Sequence, residues 1–201
     1  LEQAKIYLDI AKNINPYISS VGWNEARLLL KLQKVNEALV VAQKTNKLFP
    51  GDVEGMVILG SCLRATSNFE EGQKYLNKAI EINPNYAEAL INRGLIYLNK
   101  QDKTNALSDL EKAHKLKPHI KQIWHLVLKL KMAAKDFENT ITLAKKILKF
   151  DPVDEKTFAI IALCCQHLKG YDDAVVFYKK AISIKPDYAE AWANLGSVFK
   201  D

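Results

Sequence analysis

Six residues after a recurring proline, a large apolar side chain stands at Met56, Leu90, Trp124, Phe158 and Trp192, with Gly22 as the exception. Ten residues after the same proline the position is small at Ala26, Gly60, Gly94, Ala162 and Gly196, and only Leu128 breaks the rule. Large and small residues about one helical turn apart describe a buried helix face against which a second backbone packs closely. The prolines that set this phase are Pro16, Pro50, Pro84, Pro118, Pro152 and Pro186, each 34 residues from the next, and no proline falls off the lattice. A fixed period of this length marks stacked supersecondary units, none able to bury its apolar face without a neighbour.

Within one period the small residues return at Ala38, Gly72, Ala106 and Ala174, and again at Ala79, Ala113 and Ala181, so each unit holds a second helix. Asn68, Asp102 and Asp136 are candidate N-caps for it, with Phe69, Phe137 and Tyr171 opening its apolar face. Glu70, Glu71, Glu138, Asp172 and Asp173 follow in its first turn, where carboxylates complement the positive end of the helix dipole. Proline, which lacks an amide hydrogen and clashes with a preceding turn, then ends the unit. The expected element is a helical hairpin of ~14 residues per arm. Leu1 to Pro16 fits only a second helix, with Ala4, Leu8, Ala11 and Ile14 in core phase, and Ala189 to Asp201 fits only a first helix, so the array is expected to be cut mid-repeat at both ends.

This pattern resembles the tetratricopeptide repeat family. YAEALINRGLIYLNK followed by ALSDLEKAHKLKP, between Tyr86 and Pro118, follows its large–Leu–Gly–Tyr–Ala–Phe–Ala–Pro series without the Phe, and YAEAWANLGSVFKD repeats its opening from Tyr188. The unit from Lys121 to Asp154 departs most, with Leu128, Lys131, Thr140 and Ile147 where the family prefers a small residue, Tyr and two alanines, so locally displaced packing is expected there. The resemblance implies an all-α fold, a right-handed α-solenoid of antiparallel helical hairpins forming one domain. Its parts are a second helix over 1–18, full repeats over 19–52, 53–86, 87–120, 121–154 and 155–188, and a first helix over 189–201.

The resemblance also implies that first helices line a concave groove, with offsets four, seven and eleven after the proline facing a ligand. Those positions are Ser20, Trp23 and Arg27, then Glu54, Val57 and Ser61, then Glu88, Ile91 and Leu95. They continue as Gln122, His125 and Lys129, and as Lys156, Ala159 and Leu163. The apolar members suit a peptide with hydrophobic anchors, and Arg27, Lys129 and Lys156 suit charged partners. No three consecutive units supply the Lys and Asn, Asn, then Lys and Arg series of the family's chaperone-tail clamp. Asn24, Asn92 and Asn194 match part of the asparagine ladder of O-linked N-acetylglucosamine transferase arrays, interrupted by Ile58, Leu126 and Ile160.

Composition narrows the chemistry. The chain has 201 residues, 48% hydrophobic and 26% charged, enough to build a core. Its longest apolar run, Phe158 to Cys165, is far short of the ~18 residues a membrane span needs, so no membrane partner is expected. Cys62, Cys164 and Cys165 make an odd count without CxxC spacing, which points to a reducing, cytoplasmic compartment. His114, His119, His125 and His167 come without a matching carboxylate or cysteine cluster, and no glycine-rich phosphate loop is present, so catalytic residues, metal ligands and cofactors are not expected. The expected role is a non-catalytic protein-interaction scaffold, or the targeting or substrate-binding arm of a larger enzyme such as a glycosyltransferase. Of the net charge of +6, the segment 112–149 holds ten lysines against Asp136 and Glu138, and nucleic-acid binding through that segment is the reading from another class. Trp192, Leu195 and Phe199 are expected to expose an apolar face and to drive end-to-end self-association.

Overall fold

The structure, a computed structural model, describes residues 2–15 and 17–200. Leu1, Pro16 and Asp201, which belong to the expected terminal helices and the proline lattice, lie outside the described residues. Among the described residues there are twelve α-helices and no strand. They fall into two compact units, one running through Leu116 and one starting at Lys117.

The first unit holds α1 (Glu2–Ile14), α2 (Ser19–Lys31), α3 (Val35–Leu48), α4 (Val53–Ala65), α5 (Phe69–Ile82), α6 (Ala87–Asn99) and α7 (Lys103–Leu116). Each helix packs on the next, and α2, α4 and α6 also lie side by side, so first helices share one face. The expected small residues set the spacing. Ala26, Ala38 and Ala42 are wholly buried between α2 and α3, and a methyl group on Gly60 would lie 2.7 Å from Leu76 Cγ. Arg93 of α6 adds a polar pin, with Nε 2.7 Å and Nη2 2.8 Å from the Asp109 carboxylate of α7 and Nη1 2.9 Å from Asn77 Oδ1 of α5. A two-pronged guanidinium–carboxylate pair fixes orientation as well as distance.

The second unit holds α8 (Lys121–Ala133), α9 (Phe137–Ile147), α10 (Glu155–His167), α11 (Tyr171–Ile184) and α12 (Ala189–Val198). Its core is built on Ile161, Ala162, Ala174, Tyr178 and Ala181, all fully buried, with Leu128 from α8 against them. Here α8, α10 and α12 share the face. The departing unit behaves as its residues demand. Leu128, Thr140 and Ile147 are buried, and α8 and α9 pack less closely than the other hairpins because branched side chains stand where glycine and alanine stand elsewhere. Helix α9 is also shorter than its sisters, its last turn closing by i to i+3 bonds from Lys149 to Lys146 and from Phe150 to Ile147.

The turn inside each hairpin differs from the expected side-chain cap. Asp102 Oδ1 does accept from the Asn105 amide at 3.1 Å. Asn68 and Asp136 make no such bond. Instead, every turn is a paired backbone motif at the first helix's end, as where Lys34 N–H donates to Leu29 O at 2.9 Å and Gln33 N–H to Leu30 O at 3.1 Å. This requires a left-handed residue, and Gln33, Ser67, Gln101, Lys135 and Lys169 take it with φ of 58–63°. None of the five is glycine.

Two expectations follow for unfolding by urea. Gln101→Gly and Lys169→Gly each raise stability by about 0.5–1 kcal/mol, because glycine enters the left-handed region without the Cβ clash, offset in part by its greater freedom when unfolded. Gly60→Ala lowers stability by about 1–3 kcal/mol, since the methyl group must displace the buried Leu76.

Candidate functional site

The first-helix face of the second unit folds around a cavity of about 290 Å³. Helix α8 contributes His125, Lys129 and Met132, and α10 contributes Lys156, Ala159, Ile160 and Leu163. Tyr188 at the start of α12, with Glu190 and Asn194 from that helix, closes the opposite wall. Offsets four, seven and eleven lie on one side of a helix, which is why residues far apart in sequence converge here. The floor is apolar, and the charges are at the rim: Lys129 and Lys156 are exposed.

His125 is fixed from behind. Its Nε2 lies 2.7 Å from Asp154 Oδ2, the buried carboxylate that precedes α10, and Thr157 Oγ1 donates to the same oxygen. Burial pushes the Asp154 carboxyl up, but the hydrogen bonds from His125 and Thr157 outweigh it and hold the group below its ordinary value. The first unit contains the same arrangement with a different donor, since Trp23 Nε1 donates to Asp52 Oδ2 at 2.7 Å. His125 and Asp154 each stand 102 residues, three periods of 34, after Trp23 and Asp52.

In the first unit, four of the expected groove positions are engaged with one another. Arg27 and Glu54 form an exposed ion pair at 2.7 Å, which leaves Arg27 less available than expected. Asn92 accepts from Arg64 Nε at 3.2 Å and donates to Glu88 O at 2.9 Å. Asn24 is exposed, and Ser61, Glu88, Ile91 and Leu95 are half-buried. Trp23 and Val57 are corrected: at 1% and 4% exposure they are packing residues, Trp23 in the core of α2, α3 and α4 and Val57 in the core of α4, α5 and α6. Leu195 is corrected as well. It is buried in the core of the second unit, leaving Trp192 and Phe199 as the exposed apolar side chains of that face.

Family models agree with this architecture. Residues 53–86 and 75–115 each match a tetratricopeptide repeat model, and residues 168–201 match a TPR repeat model. The chain is a tetratricopeptide repeat array. Its relatives include the tetratricopeptide repeat-containing protein trd-1 of Caenorhabditis elegans, 23% identical over 87% of this chain and 21% of that protein. The peroxisomal targeting signal receptor of Debaryomyces hansenii is 24% identical over 95% of this chain and 32% of the receptor. The UDP-N-acetylglucosamine–peptide N-acetylglucosaminyltransferase of Giardia intestinalis is 28% identical over 61% of this chain and 8% of that enzyme. The chain thus spans a third or less of each of these three relatives. Among solved structures, YrrB, a TPR protein with an unusual peptide-binding site, superposes with a TM-score of 0.75 at 16% identity over 93% of this chain and 96% of its own. MamA superposes at 0.71 and 18% identity over 86% of this chain and 94% of its own.

Within this tetratricopeptide repeat array, sequence reasoning missed Tyr188, Glu190, Met132 and the Asp154 support. Glu190 sits at offset four of the last unit, the same rule applied one period further. Tyr188 and Asp154 share the position just before a first helix, occupied in turn by Ile18, Asp52, Tyr86, Ile120, Asp154 and Tyr188. Its three-unit alternation of Ile, Asp and Tyr was the available signal.

Asp154→Asn weakens the bonds to His125 and Thr157, and at pH 7 is expected to lower stability by about 1–3 kcal/mol. A carboxyl held below its ordinary range contributes stability that is present above that range and lost as pH falls through its folded value. Urea unfolding at pH 7 and pH 3 therefore shows the gap between parent and variant closing in acid, and a gap of equal size at both pH values contradicts the assignment.

Proposed function

We propose that the chain is a protein-interaction scaffold without catalysis of its own, holding a peptide or protein partner against the first-helix face of its repeats. The observation that carries this reading is the cavity of the second unit, where His125, Lys129, Lys156, Ala159 and Leu163 converge. In the first unit the contributing side chains are Asn24, Arg27, Glu54, Ser61, Glu88, Ile91, Asn92 and Leu95. Burial pushes the Cys62 and Cys164 thiols up to about 12, which argues against thiolate chemistry at these two residues. The peptide-binding site in the name of the YrrB structure and the receptor among the relatives agree with this role. The match to the Giardia intestinalis glycosyltransferase supports a second reading, in which the array is the protein-binding arm of a larger enzyme. Both act through the same face.

The test is a pull-down from lysate of the producing cells, comparing the parent with Lys156→Glu/Ala159→Glu and with Lys145→Glu/Lys149→Glu, a pair outside the cavity lining. The expected result is a protein retained by the parent and the second variant and reduced at least tenfold on the first. Retention on all three removes the groove reading, and a nuclease-sensitive partner lost only with the Lys145 and Lys149 change replaces it with nucleic-acid binding.

A further inference from the structure

Gly22 stands where the next four units carry the large apolar side chains Met56, Leu90, Trp124 and Phe158. The second helices of those units carry Ala79, Ala113, Ile147 and Ala181 at the position that Thr45 takes in α3. Thr45 covers Gly22, where an added Cβ would lie 2.2 Å from its Oγ1, and that hydroxyl donates to Val41 O at 2.9 Å. A threonine is too small to replace a leucine or phenylalanine side chain, and a cavity of about 270 Å³ is left between α1, α2 and α3. Its apolar lining is Val21, Gly22, Val41 and Leu48, beside Thr45. Lys44 and the ion pair of Lys12 with Glu25 supply the charged lining groups. Val21, Gly22 and Glu25 lie on the side of α2 opposite Ser20 and Arg27, so this cavity is separate from the first-helix groove.

The second unit shows how the same place is filled when the large side chain is present. Phe158 follows Gly22 by four periods, and its ring stacks on Phe177, the counterpart of Val41, with centroids 6.3 Å apart. Lys180, the counterpart of Lys44, holds its Nζ 5.9 Å from the centre of the Phe158 ring. Trp124 likewise has Phe150, the counterpart of Leu48, at 6.4 Å. The lattice therefore puts a ring between second-helix side chains and a lysine, and in α2 that ring is missing while Lys44 is kept and exposed. An apolar cavity left by a missing large side chain binds a small molecule of like shape, and an ammonium group above it favours an aromatic one. The volume lies at the small end of ligand sites, which restricts the guest to one or two rings. We infer that the Gly22 cavity binds a free, uncharged aromatic molecule of one or two rings, packed on Val21, Val41 and Leu48 with the Lys44 ammonium over its face. This site does not depend on the groove reading.

Titration of the isotope-labelled protein with benzyl alcohol, followed through the amide signals of Val41, Lys44 and Leu48, tests it. Cyclohexylmethanol, of the same shape without the aromatic ring, is titrated in parallel. Benzyl alcohol is expected to shift these signals saturably, with a dissociation constant on the order of a few millimolar for so small a ligand. Gly22→Leu/Thr45→Ala restores the pairing of Leu90 with Ala113, fills the cavity and abolishes the shifts, while its urea midpoint stays at or above the parent's. Lys44→Met, an exposed change, weakens benzyl alcohol about threefold and leaves cyclohexylmethanol unchanged. Shifts that do not saturate, or that persist in the filled variant, overturn the site. Equal effects of Lys44→Met on both alcohols overturn the aromatic assignment. Tighter binding of blocked Gly-Phe-Gly, which carries the same ring on a backbone, replaces the free molecule with a partner's side chain and overturns the proposal as stated.

Discussion

Close approach of paired helix backbones is the constraint on which the rest depends. At Gly60 a methyl group would meet Leu76 at 2.7 Å, and at Gly72 one would lie 3.2 Å from Gly60 O, so α4 and α5 approach closely where neither carries a side chain of its own. That spacing lets Leu76 fill the hairpin and leaves the apolar stripe of each first helix to pack on its neighbours. Ala162 and Ala174 hold the corresponding places in α10 and α11, both fully buried. Within each compact unit, first helices lie side by side, and the cavity of the second unit is lined from the face that they share.

The proline lattice and the small-residue positions made the helices and their pairing legible, because both features act locally and repeat. Two neighbouring repeats of the second unit brought five expected groove residues together around one cavity for the same reason. What the lattice could not tell is how far neighbouring side chains cover a given position. Trp23 has the phase of Ala159, yet its indole is large enough to sink into the core around α2 and α4 and find Asp52. Val57 packs with Met56, Leu76 and Ile96 in the core that α4 shares with α5 and α6, although Glu54, three residues before it, is exposed. The turns were hard to read for the opposite reason, since the left-handed conformation was carried by Gln, Ser and Lys rather than by the glycine that normally reveals it.

Equivalent positions have diverged in chemistry while their geometry is kept. An aspartate before a first helix receives an indole N–H in one unit and an imidazole in the other, at the same 2.7 Å. The surrounding charges diverged too, with Arg27 and Glu54 satisfying each other and Lys129 and Lys156 facing solvent. A repeat fold tolerates this because each helix face is supported mainly by its nearest neighbours, so a site is retuned without redesigning the stack.

The left-handed turn residues have a consequence for handling the molecule. Gln33, Ser67, Gln101, Lys135 and Lys169 are all exposed, and each sits at a hairpin tip in a conformation that its side chain does not favour. Backbone at such tips is where chain insertions are best absorbed. The array thus offers five surface points, one per hairpin, for grafted epitopes or reporter groups, and each lies at the end of its first helix, away from the hairpin's packed interior.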